Sequence, residues 1–106
     1  MAHSFTQTVE VALVPQQAEA AVYQALAATG VQGVRGGGGF LRGVTSVGWS
    51  SWGEEVTATV GFGPRGSLVT LTSTCSMQTQ LVDFGKNGKN VTKVVEALRG
   101  AGVPVL

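Results

Sequence analysis

The chain has 106 residues, 43% of them apolar and 12% charged, with a formal net charge of +1. That length supports a single domain spanning 1–106 and excludes two, and the apolar, weakly charged composition excludes intrinsic disorder. So small a charge excludes a global field that would draw in nucleic acid or an anionic membrane surface, so strong nucleic-acid binding is not expected.

One cysteine, Cys75, leaves no internal disulfide, and a single histidine, His3, leaves no Cys/His set for zinc. No cofactor is expected. Sixteen glycines and three prolines against seven aromatic residues imply many turns and few large anchors, the balance of a sheet-rich α+β domain. The N-terminal Met1-Ala2-His3-Ser4 has neither the basic nor the apolar region of a leader, and no window approaches the ~18 apolar residues of a membrane span. The reading is therefore cytoplasmic, with no transmembrane segment.

The first element places Phe5, Val9, Val11 and Leu13 at odd positions with Thr6, Thr8 and Glu10 between them, the period of a half-buried strand. Pro15 then suits the first position of a helix. Ala18, Ala21, Val22, Ala25 and Leu26 recur at helical spacing until Gly30 ends the run. A weak strand is expected over 31–35, a glycine turn over 36–39, and a strand from Phe40 to about 48.

After the loop Trp49-Ser50-Ser51-Trp52-Gly53, Val56, Ala58, Val60 and Phe62 share one face of a strand, with Thr57 and Thr59 on the other. Gly63-Pro64-Arg65-Gly66 reads as a hairpin turn. Val69, Leu71 and Cys75 then point inward against Thr70, Thr72 and Thr74. The last element is a helix capped by Asp83, with Phe84 in the core. Val91, Val94, Val95 and Leu98 form its buried stripe, and Lys86, Lys89 and Lys93 lie on the opposite, solvated side.

The order is β-α-β-β-β-β-α, and hairpin-linked strands imply an antiparallel, five-stranded sheet in an α+β domain. Two helices cover one face of such a sheet and leave the threonine face to water or a partner.

Several motifs tempt and fail on context. Gly61-Phe62-Gly63-Pro64-Arg65-Gly66 spells G-x-G-x-x-G, but a dinucleotide site needs a helix starting within it, and here a proline and a strand follow. The glycines at 36–39 lack the Lys and Ser/Thr of a phosphate loop. Asp83-Phe84-Gly85 matches the magnesium-binding triplet of protein kinases without the rest of that machinery. Cys75 has no base beside it, and Glu54 and Glu55, adjacent on a strand, point to opposite faces. The chain is read as a non-enzyme.

The segments Ser51-Trp52-Gly53-Glu54-Glu55-Val56 and Val82-Asp83-Phe84-Gly85-Lys86-Asn87, with Asn90-Val91, are similar to small uncharacterised bacterial domains with a W-G-E strand start and a D-W/F-G-x-N helix start. The element order resembles the TATA-binding-protein-like fold and, more loosely, the helix-grip (START-like) lipid-binding folds. The resemblance implies a curved, antiparallel, five-stranded sheet that wraps a long C-terminal helix.

Trp49 and Trp52 sit three residues apart in a Ser/Gly loop, as a core lid or as a binding rim. Two readings of function follow. In the first, a hydrophobic or lipid-like small molecule lies between sheet and helices, against Trp49, Trp52, Phe62, Phe84, Val91 and Val95. In the second, the threonine face or an edge strand serves protein interaction, a homodimer included.

Overall fold

In the computed structural model, which describes residues 4–45, 53–75 and 85–106, the elements follow the order expected from the sequence. They are β1 (Ser4–Val11), α1 (Pro15–Ala28), β2 (Gln32–Gly37), β3 (Phe40–Val44), β4 (Glu54–Gly63), β5 (Gly66–Cys75) and α2 (Lys86–Gly100). The strands form one antiparallel sheet in the order β1-β5-β4-β3-β2, with both helices on one face. It is not strongly curled, which corrects the expectation of a curved sheet.

Local chemistry explains the boundaries. Pro15 opens α1, where its missing N–H costs nothing. The helix ends at Ala28, before Gly30: the Thr29 hydroxyl and N–H both donate to the Ala25 carbonyl, closing the last turn early.

The glycine run is mostly strand. Gly36 and Gly37 pair with Leu41 and Phe40, so the turn contracts to Gly38 and Gly39, with φ of 64° and 95°. Two successive positive φ values suit the right-handed twist of a two-residue hairpin, and glycine adopts them without a Cβ penalty. At the β4–β5 turn the pair Gly63–Gly66 closes around Pro64 and Arg65, so the hairpin reading of G-x-G-x-x-G holds. The N-terminus of α2 corrects a second expectation: its cap is Gly85, at φ 74°, without a side-chain cap bond, and Asp83 lies outside the described residues.

Alternation then builds the core. Val9 and Val11 of β1, Leu41 of β3, Val56, Ala58 and Val60 of β4, and Val69 and Leu71 of β5 meet Ala18, Val22, Ala25 and Leu26 of α1 and Val91, Val94, Val95 and Leu98 of α2. Most of these side chains are almost wholly buried. The buried positions of α1, Ala18, Val22, Ala25 and Leu26, are among those its helical spacing marks. The far ends of the face escape cover: Phe62 has the inward parity expected of it but is 87% exposed, because it lies past the first turn of α1.

Candidate functional site: the open sheet face

The six residues predicted to line a ligand slot do not converge among the described residues. Val91 and Val95 are packed in the core, and Phe62 stands in solvent beside Pro15, Gln16 and Glu19. Trp49, Trp52 and Phe84 lie outside the described residues. The space between sheet and helices is filled by valine and leucine side chains. What remains are open grooves, one of about 350 Å³ between Ala21, Ala25 and Ala28 on α1 and Ala97 of α2 with Ala101 just past its end.

Two features that chemistry could use do emerge. The first is a buried polar cluster that ties β4 and β5 to α2. Glu54, 3% exposed, accepts through Oε1 from the Thr45 hydroxyl at 3.0 Å and from Asn90 Nδ2 at 2.9 Å. Asn90 Nδ2 also reaches Ser73 Oγ at 3.0 Å, and that hydroxyl donates to Asn87 Oδ1 at 2.7 Å. Asn87 Nδ2 faces Cys75 Sγ at 3.4 Å.

The cluster joins Glu54 of Trp52-Gly53-Glu54 to Asn87 of Gly85-Lys86-Asn87 and to Asn90, one turn further along α2. Its residues satisfy one another in the interior, where an unmet polar group is costly. Sequence reasoning separated Glu54 from Glu55 by face but missed the network. The parity of Glu54 and Ser73 with the buried residues of their strands was the signal that could have found it.

The second feature is the uncovered face. Thr6, Thr72 and Thr57 form one rung across β1, β5 and β4, and Thr8, Thr70 and Thr59 form the next. Thr6 and Thr72 share a hydroxyl hydrogen bond of 3.0 Å, as do Thr8 and Thr70. Hydroxyls that bond each other need little from water, so covering them costs less than their count implies. Half-exposed Phe40, Val44 and Leu68 share the face, and its Arg42 is paired with Glu55. The result is a weakly polar surface on a single-layer sheet, which also carries Arg35, opposite Arg42 in register.

Charge is concentrated at one rim, where Glu10 holds the β4–β5 turn. Its Oε2 accepts the Arg65 N–H at 2.6 Å and its Oε1 accepts from the guanidinium at 2.9 and 3.0 Å. The Arg65 backbone hydrogen bond, reinforced by the Arg65 side chain and charge and opposed by burial, lowers the Glu10 pKa below its ordinary value.

Among the described residues no group of three or more His, Cys, Asp or Glu gathers as a metal site would require. Among the described residues, likewise, no helix is long and apolar enough to cross a membrane. No protein-family model matches the chain, and no curated protein sequence matches it.

Proposed function

We propose that the chain is a non-enzymatic assembly domain whose open threonine face stacks on the same face of a second copy. The observation that carries this reading is the neutral pair of threonine rungs on a sheet covered on one side only. A sheet packs into two layers by burying its second face, and stacked sheets lie about 10 Å apart. At about 4.8 Å between strands and 3.3 Å per residue, the face covers roughly 500–600 Å², so two copies bury roughly 1,000–1,200 Å², just below the usual range of stable interfaces and enough for a weak dimer. The likeness to the TATA-binding-protein-like fold also supports the sheet face as the working surface.

Sedimentation velocity tests this. The wild type is expected as a dimer, and Thr57→Lys with Thr72→Lys as a folded monomer, because two like charges per copy would be buried at the seam. A wild type that stays monomeric at high concentration overturns the proposal.

A second reading keeps an apolar small molecule or lipid as ligand, favoured by the alanine-lined groove between α1 and α2. Native mass spectrometry with organic extraction should then find a retained apolar molecule, and Trp49→Ala or Trp52→Ala should release it if those rings form the rim. A protein that retains nothing from a broad lipid panel leaves only the assembly reading. Nucleic acid ranks below both. The face carries Arg35 and Arg42, the latter paired, so binding at physiological salt should be weak in an anisotropy titration.

A further inference from the structure

Strand β1 is an outer strand of the sheet, and part of its free edge is already in use. The C-terminal tail runs antiparallel along it: the Leu106 N–H donates to the Glu10 carbonyl at 2.8 Å, and the Ala12 N–H donates to the Pro104 carbonyl at 3.0 Å. Outward-facing backbone groups alternate along an edge strand. Thr8, Thr6 and Ser4 therefore aim their N–H and C=O groups the same way as Glu10, and these meet no partner among the described residues.

Helix α2 rises beside this edge. Phe5, 43% exposed, lies against Gly88, where an added Cβ would sit 3.7 Å from the ring. Together with Thr92, Lys89 and Lys93 they line an apolar groove of about 370 Å³. Both lysines are exposed, and among the described residues neither forms an ion pair, the three pairs being Arg42–Glu55, Arg65–Glu10 and Arg99–Glu96.

We propose that the β1 edge and the flank of α2 together bind an extended acidic peptide segment, which adds as a strand where the C-terminal tail stops. Main-chain hydrogen bonds to Thr6 and Thr8 supply affinity without regard to sequence. Specificity comes from the side chains on the helix side of the added strand: an apolar one against Phe5 and Gly88, and acidic ones beside it toward Lys89 and Lys93, which both follow Gly88 along α2. A second copy of this chain fits the same edge poorly, because pairing β1 with β1 about a two-fold axis brings both lysine pairs to one seam. The proposal makes no use of the threonine face, so the two interfaces can fail separately.

Selection from a random linear-peptide library against the full chain, followed by anisotropy with the enriched peptide, tests it. Enrichment of an apolar residue with Asp or Glu at alternate positions on one side of it is expected. Lys89→Glu with Lys93→Glu should weaken binding by about tenfold or more. Thr6→Pro, tolerated on an edge because that N–H points outward, should abolish binding, while Thr6→Ala, which removes only the hydroxyl, should retain it. Failure to enrich any peptide, a basic or neutral consensus, or binding that survives Thr6→Pro overturns the proposal. So does lysine-dependent binding to phosphatidylserine vesicles without peptide binding, which would assign the lysines to a membrane surface.

Discussion

Glu54 on β4 and Glu10 on β1, two strands separated by β5, face opposite fates. Glu54 is held inside by Thr45 and Asn90, so replacing it with leucine leaves two polar partners unmet in the interior. We expect a loss of about 2–4 kcal/mol in urea denaturation, and about 1–3 kcal/mol for Asn87→Ala, which strips the acceptor from the Ser73 hydroxyl. Glu10 sits at the rim, and its interaction with Arg65 appears in the pH dependence of stability. Its folded pKa lies below the unfolded value of about 4.3, so the stabilisation is complete above that value and is lost as pH falls through the lower folded one. Urea midpoints measured down the acid limb should therefore fall more steeply for the wild type than for Glu10→Gln.

At the scale of elements, turns and close approaches decide which glycines matter. Gly66 has a φ of 151°, and a Cβ there would lie 2.3 Å from the Val11 carbonyl oxygen, so Gly66→Ala should detach the β4–β5 turn from β1 and lower the melting temperature sharply. Gly61, in the same hairpin, has open space at its Cβ and no positive φ. Gly61→Ala should be neutral or stabilising by up to about 1 kcal/mol, through loss of freedom in the unfolded chain. The contrast, read by thermal denaturation of the two variants, separates a glycine that backbone contact demands from one that only spelled a motif. Helix α2 depends instead on packing: it starts at Gly85 without a side-chain cap bond and is held by its valine stripe and the Asn87 and Asn90 contacts. Leu98→Ala, which empties a fully buried site, should cost about 2–5 kcal/mol.

For the whole molecule, the division of labour follows from two helices on one side of five strands. Helix α2 lies over β1 and β5 while α1 spans β2 to β5, so the covered face is divided between them and the other face has no layer of its own. The assembly reading and the acidic-peptide reading use different parts of what is left: a flat surface and an edge. The combined effects are expected to be independent. The lysine-bearing threonine-face variant should be monomeric yet still bind the selected acidic peptide, as read by sedimentation and anisotropy on one sample.

Periodicity and turn signals by themselves determined the element order, the antiparallel sheet, the parity of β1, β4 and β5 and the valine stripe of α2, because period-2 and period-3.6 patterns report which side chains must leave water. Thr57, Thr59, Thr70 and Thr72 were legible as an outer face for the same reason. Boundaries that depend on competing local bonds were less legible: Thr29 closing α1 before Gly30, and glycines at 36–37 pairing as strand when their composition signals a turn. Only the tertiary structure decided where Phe62 would stand, since parity names a face but not how far a helix extends over it. It alone brought Glu54, Ser73, Asn87 and Asn90 into one network from three separate elements. Hydrogen bonding across such sequence distances leaves no periodic trace, and so the groups most costly to bury were the ones the sequence did not announce.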